Sequence, residues 1–206
     1  MNHFKKQIIK DQLLIKTEFK MNPVYKKIND FFSKDEISSL IDSFNRKKDN
    51  IKKASIGNNN LKTINTDIRS DKIVWLDNNE NTLAFFFGFI NELTIQLNRK
   101  CFLGLNSNEF HFAVYNKGDF YKKHKDAFNN SSERKITIIT YLNENWGDED
   151  GGELVIYLDN KTLKIEPKAG TIVIFESFIE HEVLICNKDR VSLTGWLKCS
   201  KDLTLY

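Results

Sequence analysis

The sequence predicts an α+β fold that is mainly β, on three observations. Two or three helical segments lie in the first half of the 206 residues. From Cys101 onward, about eight short runs of β-branched and aromatic residues are separated by turn residues. With 2 prolines and 9 glycines, no stretch has the composition of a linker between domains. Strands that follow supporting helices predict a jelly roll, also called a double-stranded β-helix, with N-terminal helices packed on it.

The helices are predicted from their apolar spacing. Phe4–Phe19 places apolar residues near one stripe and is expected to pack as an amphipathic helix. A second helix is expected to begin after Ser33 and to end near Arg46, because Ser33 and Glu36 have the spacing of a capping box. Asn81–Asn98 is predicted to be a buried helix, since its apolar residues surround nearly the whole helix.

One domain is expected for residues 1–206. Residues 1–100 are expected to be mostly helical support, with a loop near 54–76 that carries short strands. Within that loop, Ile68–Leu76 (IRSDKIVWL) is predicted to be a strand. Residues 101–198 are expected to form the jelly-roll core.

Composition and charge describe an ordinary globular protein. The chain has 40% hydrophobic and 29% charged residues, and its net charge of +3 comes from interspersed signs, which is weak support for a nucleic-acid partner. Its 3 cysteines do not form a disulfide framework and suit a reducing cytoplasm. The most apolar run, Leu83–Ile90, is too short to cross a bilayer, and no signal peptide is evident. We therefore expect a cytoplasmic protein with no membrane partner.

His124, Asp126 and His181 have the residue types of a metal site. His124 and Asp126 are two positions apart, so in a strand they point to the same face. Two imidazoles and one carboxylate occupy one face of an octahedral metal and leave the opposite positions open, as in non-haem Fe(II) centres. Taken singly, the pair could be a surface strand and His181 a core histidine. Their order and spacing together favour the metal site.

The last strand alternates polar and apolar residues. One face carries Arg190, Ser192, Thr194 and Trp196, which we predict to face a cavity. Arg190 is expected to hold a carboxylate through two parallel hydrogen bonds, to which Ser192 and Thr194 could add. A keto acid that chelates iron and reaches Arg190 fits both features, so the residues predict a 2-oxoglutarate-dependent iron dioxygenase. The alternative, a solvated polar face, would also expose Trp196.

Two further polar residues are less decisive. The hydroxyl of Tyr141, on an apolar strand, needs a partner if it is buried, and either the same carboxylate or the backbone could supply it. His111 lies near the site in sequence, but we assign it to structure because the set of metal ligands is already complete.

The chain resembles the prolyl 4-hydroxylase branch of the 2-oxoglutarate oxygenases, in particular the hypoxia-inducible-factor type and its bacterial relatives. The resemblance covers about Phe31–Lys198. It rests on the stretches IRSDKIVWL, HFAVYNKGDFYKKHKDAF, TYLNENW, DGGELVIY, IEPKAGTIVIF and HEVLICNKDRVSLTGW.

The resemblance implies a role for each matching residue. Fe(II) would be bound by His124, Asp126 and His181. The cosubstrate 2-oxoglutarate would contact Arg190, Tyr141, Thr194 and Tyr115. The substrate side would comprise Arg69 and Asp71, on a mobile loop that folds over a peptide, and Tyr121 and Trp196, at the mouth where proline enters. Ser70 stands where the family often has glycine and could stiffen that loop.

The activity implied is hydroxylation of a prolyl residue in a protein or peptide, with Fe(II), 2-oxoglutarate and O2, release of succinate and CO2, and ascorbate as a possible reductant. Nucleic acid is a less favoured substrate because no second arginine follows Arg190 on the last strand. Other residue types and small molecules remain alternatives, as does a non-catalytic jelly roll that only binds metal.

Overall fold

Two antiparallel sheets and two α-helices make up the computed structural model, which describes residues 25–54, 65–77, 80–127 and 133–199. The helices are α1 (Lys34–Lys47) and α2 (Ala84–Cys101), and short 3-10 turns cover Lys48–Asn50, Asn81–Leu83 and Asp148–Asp150. The strands are β1 (Tyr25–Ile28), β2 (Lys52–Lys53), β3 (Lys72–Trp75), β4 (Ser107–Tyr115), β5 (Tyr121–His124), β6 (Arg134–Tyr141), β7 (Leu154–Leu158), β8 (Lys161–Ile165), β9 (Ile172–Glu176), β10 (His181–Val183) and β11 (Arg190–Lys198).

The strands form a large and a small sheet. The large sheet has the order β1-β9-β6-β11-β4-β3-β2, and the small sheet has the order β5-β10-β7-β8. The crossing of consecutive strands between the two sheets is the pattern of a jelly roll. The mainly β fold with supporting helices, predicted from the sequence, is confirmed, and the strands from β4 onward match the expected succession of eight.

Each face of the large sheet packs against a different layer. The helices cover one face, where α1 and α2 share a core cluster with the outward-facing residues of β6, β9 and β11, such as Ile138, Ile174 and Leu193. The small sheet covers the other face, where Leu154 and Ile156 of β7 pack in one cluster with residues of β6 and β9. Burial of both faces explains why β6 and β9 are continuous apolar runs.

Helix α1 begins as the sequence predicts. The Glu36 amide donates to Ser33 Oγ at 3.3 Å, and the Ser33 amide donates to Glu36 Oε2 at 2.9 Å, which completes a capping box. Its residues Ile37, Leu40 and Phe44 are buried. This helix is confirmed over nearly its whole predicted length.

Helix α2 is confirmed with shifted ends. The chain forms a 3-10 turn over Asn81–Leu83 before the α-helix starts at Ala84. The helix extends beyond the predicted end to Cys101 and stops at Phe102, whose φ of 56° is left-handed. The amide of Phe102 donates to the Asn98 carbonyl at 3.1 Å, which closes the last turn.

The predicted strand Ile68–Leu76 is wrong in its first half, because β3 begins only at Lys72. The preceding residues form a turn that is bound to the start of β5. The Ser70 amide donates to the Phe120 carbonyl at 3.1 Å, and the Phe120 amide donates to Ser70 Oγ at 3.0 Å. These bonds satisfy the backbone there without a regular ladder.

Two other expectations concern the helices. The helix expected over Phe4–Phe19 lies outside the described residues. In the part of the chain that the structure describes, no helix has the length and apolar character needed to cross a membrane.

Gly195 lies where two strands of the large sheet leave no room for a side chain, and it gives a test of this fold. A methyl group at Gly195 would overlap the Phe110 ring and the Glu109 carbonyl oxygen. We expect Gly195→Ala to lower the free energy of unfolding by about 2 to 3 kcal/mol, because overpacking between central strands forces them apart. Gly88→Ala is the control, since no heavy atom lies within 4 Å of its added carbon. Denaturant unfolding measures the stability of both variants. Equal stability would contradict the close packing at Gly195.

Candidate active site

A cavity opens from the inner face of the large sheet. Its wall combines residues of β3, β4, β6 and β11 with residues of the small sheet, including β5, β7 and β10. The inner face is set by strand register: Arg190 pairs with Tyr115, Ser192 with Ala113, and Thr194 with His111. Because directly paired residues point to the same side of a sheet, the polar face of β11 and the matching face of β4 line the cavity together.

His124, Asp126 and His181 meet at one point of this cavity. His124 and His181 are paired across β5 and β10, and Asp126 follows β5. Asp126 Oδ1 lies 3.6 Å from His124 Nε2, and Asp126 Oδ2 lies 3.4 Å from His181 Nε2. One ligand atom from each residue lies within 4.8 Å of the others. The arrangement can hold one metal ion on one face and leave other positions open.

The tautomer of both neutral imidazoles is set by backbone carbonyl groups. His124 Nδ1 lies 2.8 Å from the Lys122 carbonyl oxygen, and His181 Nδ1 lies 2.9 Å from the Ile179 carbonyl oxygen. A carbonyl only accepts, so each Nδ1 carries the proton and each Nε2 presents its lone pair. Both lone pairs belong to the atoms that face Asp126. This is the state that a metal ion requires.

Asp126 is buried and yet ionised. Burial alone would raise its pKa, but the neighbouring His181 and His124 hold the pKa well below its usual range. Asp126 Oδ2 also accepts from Thr137 Oγ1 at 2.8 Å, and Thr137 Oγ1 lies 3.0 Å from Ser177 Oγ. The carboxylate is thus oriented from β6 and remains a charged ligand.

Arg190 is a buried charge without a counter-charge. Arg190 is 1% exposed, and no carboxylate among the described residues forms an ion pair with its guanidinium. Its Nε lacks a hydrogen-bond partner, and the contact from Nη1 to Ser192 Oγ is long, at 3.5 Å. The rings of Tyr115 and Tyr141 lie 4.7 and 5.2 Å from its guanidinium carbon. A buried guanidinium in this state favours a bound anion.

The hydroxyl of Tyr141 is a second buried polar group without a hydrogen-bond partner, next to the guanidinium of Arg190. Burial raises the pKa of Tyr141 to about 12, and the charge of Arg190 offsets only part of that rise. The tyrosine therefore keeps its proton and can donate it to an acceptor. Unpaired donors around one guanidinium fit the carboxylate of a keto acid.

Arg69 and Asp71 connect the turn before β3 to the metal ligands. Arg69 Nε and Nη2 donate to the two carboxylate oxygens of Asp71 at 2.7 and 2.6 Å. The guanidinium of Arg69 lies 4.2 Å from the centre of the Tyr121 ring. The Tyr121 ring in turn stacks on His124, with centroids 3.5 Å apart and an interplanar angle of 11°. A continuous stack thus leads from Asp71 to a metal ligand.

Nearly all the site residues predicted from the sequence lie together in the structure. Eleven of the twelve candidates line one cavity, and Tyr141 lies buried behind it against Arg190. The lining candidates are Arg69, Asp71, Tyr115, Tyr121, His124, Asp126, His181, Arg190, Ser192, Thr194 and Trp196. Their functional roles remain predictions.

Sequence reasoning missed other residues of the wall. Arg134 stacks on Trp196, with 3.5 Å from its guanidinium carbon to the ring centre, and is held by Glu109 through bonds of 3.0 and 2.9 Å. His111, which we expected to be structural, and Trp75 also line the cavity. Glu109 and His111 share the period-two face of Tyr115, which was a usable signal. Arg134 lies across strands, and no local pattern marks it.

Similar proteins can now be set beside this geometry. Residues 110–198 match the family described as the 2OG-Fe(II) oxygenase superfamily. A prolyl-4-hydroxylase of Pseudomonas putida has a similar crystal structure, with 29% identity and a TM-score of 0.79 over 95% of this chain and 99% of that chain. A Trichoplax adhaerens prolyl hydroxylase, in complex with a hypoxia inducible factor oxygen degradation domain peptide fragment, has a TM-score of 0.79 over 95% of this chain and 90% of that chain. At 24% identity, it supports the fold alone.

A viral protein shares part of the sequence. An uncharacterised protein of Fowlpox virus (strain NVSL) is 34% identical over 85 residues, which are 40% of this chain. The match spans 19% of the length of that curated relative.

Fold and site define a jelly-roll metalloprotein of the two-histidine, one-carboxylate class. The matched region contains all three metal-ligand candidates and Arg190. Residues 110–198 are similar to the 2-oxoglutarate/Fe(II) oxygenase superfamily, and the fold is similar to that of a prolyl-4-hydroxylase, as the sequence suggested. Members of this superfamily use Fe(II), 2-oxoglutarate and O2, and the donor set found here fits that metal and that cosubstrate.

Thr137 offers a test of the metal site that leaves its ligands intact. We expect Thr137→Val to weaken Fe(II) binding about tenfold or more, because Asp126 loses the hydrogen bond that orients it. Anaerobic titration calorimetry with Fe(II) measures this. Thr140→Val is the matched control on the same strand, since the buried Thr140 hydroxyl has no hydrogen-bond partner. Equal affinity in both variants would contradict the orienting role of Thr137.

The metal-free protein should lose thermal stability as the pH falls from about 6.5 to about 4. Burial, with repulsion from His124, lowers the pKa of His181 from 6.5 to about 4, although Asp126 opposes this. Between these two pH values His181 is protonated in the unfolded chain but not in the folded protein, so the free energy of unfolding rises with pH. His111, whose pKa is lowered to about 3, acts in the same direction. Melting curves in the presence of a chelator measure the slope, and His181→Gln should reduce it. A steeper slope in that variant would contradict the assignment.

Proposed function

We propose that the protein is an Fe(II)- and 2-oxoglutarate-dependent dioxygenase that hydroxylates a prolyl residue of a protein or peptide and releases succinate and CO2. The observation that carries the proposal is the buried, unpaired guanidinium of Arg190 beside a two-histidine, one-carboxylate set. A metal site that served only for structure would need neither open positions nor an anion anchor.

The prolyl substrate is supported by the similar structures. The Pseudomonas putida protein, whose chain is 29% identical to this one, is a prolyl-4-hydroxylase. The Trichoplax adhaerens prolyl hydroxylase, which is similar in fold, is in complex with a hypoxia inducible factor peptide fragment. We transfer the prolyl substrate of the Pseudomonas putida protein to this chain, so that its proposed partner is a proline-containing protein or peptide and not a nucleic acid.

In the proposed site, His124, Asp126 and His181 hold Fe(II). The bound iron, with 2-oxoglutarate and O2, supplies the oxidation that replaces a carbon–hydrogen bond by a hydroxyl group. The carbonyl groups behind both imidazoles hold a proton on Nδ1, so that Nε2 is the nitrogen that would bind the metal in the neutral ring. Thr137 fixes the carboxylate of Asp126.

Arg190 binds the distal carboxylate of 2-oxoglutarate. Its bidentate fork sets the orientation of that acid, and the hydroxyls of Tyr141 and Ser192 add donors beside it. Thr194 continues this row of hydroxyls along β11 and adds a donor further along the acid. Ser192 Oγ lies 3.2 Å from Thr194 Oγ1, so the two hydroxyls form one polar row. Tyr115, buried against Arg190, covers the cosubstrate from the β4 side.

The other half of the cavity receives the peptide. Tyr121 and Trp196 present rings at the mouth, against which a pyrrolidine ring can pack, and Trp196 is kept flat by the stacked Arg134. Arg69 and Asp71 hold the turn before β3 against β5, where it can cover a bound peptide. Packing at the mouth excludes water from the iron side.

The cellular setting is also a proposal. We place the protein in the cytoplasm, because Cys101, Cys186 and Cys199 are unpaired thiols. Ascorbate as a reductant rests on the family resemblance alone.

An anaerobic visible spectrum with Fe(II) and 2-oxoglutarate tests the proposal. We expect a charge-transfer band in the wild type and its loss in His181→Ala. Arg190→Ala should raise the Kd for 2-oxoglutarate about 100-fold, which is the cost of removing a buried charge pair. Arg46→Ala, a surface arginine paired with Glu80, is the control.

The charge-transfer band and the Kd of Arg190→Ala test separate parts of the proposal. Absence of the band in folded, iron-loaded protein would rule out keto-acid chelation and favour a non-catalytic metal-binding module. A normal Kd in Arg190→Ala would remove Arg190 from the cosubstrate site and keep the iron assignment.

A further inference from the structure

His111 lines the cavity but has no role in the proposed iron and cosubstrate sites. It lies on β4, where it pairs with Trp75 of β3 and with Thr194 of β11. Its ring lies between two indoles, with its centre 5.0 Å from that of Trp75 and 5.2 Å from that of Trp196. It is 3% exposed, and its Nδ1 has no hydrogen-bond partner among the described residues.

An unpaired nitrogen at this position destabilises the free protein. A buried polar atom loses its bonds to water, and without a protein partner nothing replaces them. Leucine would fill a similar volume between the indoles without that loss. The imidazole therefore opposes folding of the free protein. Its presence is explained if a bound group forms the missing hydrogen bonds.

The charge state of His111 limits what that group can be. Burial, together with the positive charges of Arg69 and Arg134, lowers the pKa of His111 to about 3. At neutral pH the ring is uncharged, so one nitrogen donates and the other accepts. Such a ring suits a neutral amide and gives little attraction to a carboxylate or an ammonium group.

The register of the large sheet places His111 in the peptide half of the cavity. Arg190 and Thr194, the neighbour of His111, are four positions apart on β11, or about 13 Å along the strand. His111 therefore lies beside Trp196, toward the end of this strand face that is remote from the backbone of Arg190. Trp75, which is 48% exposed, continues the wall from His111 to the rim.

We propose that His111 is a specificity-determining residue that hydrogen-bonds a main-chain amide group of the peptide, next to the proline that packs on Trp196. Trp75 covers an apolar side chain of a neighbouring peptide residue. Proline itself has no amide hydrogen, so a donor to His111 comes from a flanking residue and an acceptor from any carbonyl. The proposal rests on the proposed prolyl hydroxylation and adds the residue that recognises the chain around the proline.

The probe is a peptide library with one central proline and randomised flanking positions. Wild-type protein with Fe(II), 2-oxoglutarate and air is incubated with the library, and mass spectrometry identifies the peptides that gain one oxygen. The best peptide is then used with three variants. His111→Leu removes both nitrogens, His111→Asn keeps a polar group near Nδ1, and His111→Gln keeps one near Nε2.

We expect His111→Leu to raise the KM for the peptide about tenfold, the value of a buried hydrogen bond, with a much smaller change in kcat. One of the two amide variants should restore most of the affinity. The melting temperature of the ligand-free Leu variant should equal or exceed that of the wild type. A structural histidine would give the opposite pattern, a lower melting temperature and an unchanged KM, and that result would overturn the proposal.

Failure of the two proposals can be told apart. A wild type that oxidises no peptide of the library would reject the prolyl activity, and with it the peptide contact. A wild type that hydroxylates peptides, with a Leu variant of unchanged KM, would reject only the role of His111. Selection for apolar residues beside the proline, lost in Trp75→Ala, would support the contact with Trp75.

Discussion

The site depends on the position of β11 in the centre of the large sheet. Because β4 and β6 bind it on both sides, its register cannot slip, and every second residue must point into the cavity. This alternation puts Arg190 at one end of the cavity and Trp196 at the other. The small sheet only has to bring His124 and His181 over the space between them. The proposed anion anchor, metal site and substrate mouth are therefore ordered along one strand.

The burial of Arg190 has an energetic meaning for the whole fold. A guanidinium without a counter-charge opposes folding, and the surrounding tyrosine rings compensate for only part of its lost hydration. The free protein is therefore less stable than its packing allows. In the proposed function, binding of a dicarboxylate recovers that stability, so affinity for the cosubstrate would come in part from the unfavourable burial of Arg190 in the free protein.

Local patterns in the sequence were sufficient for much of this structure. The capping box at Ser33, the apolar runs and the alternation of β11 depend on neighbours along the chain, and each was confirmed. The turn before β3 was not predicted, because the bond between Ser70 and Phe120 joins segments fifty positions apart. The contact of Arg134 with Trp196 and the place of His111 between two indoles depend likewise on register between strands, which composition does not encode.

The stack from Asp71 through Arg69 and Tyr121 to His124 joins two sites that are separate in sequence. A metal ion that fixes the His124 ring also fixes the surface on which Tyr121 and Arg69 lie. A peptide that presses on the turn stabilises the same arrangement from the other side. By thermodynamic reciprocity, whatever factor the metal adds to the affinity for peptide, the peptide must add to the affinity for metal. For the proposed iron and peptide sites, a cell short of iron would thus retain it longest in those copies of the protein that have a peptide bound.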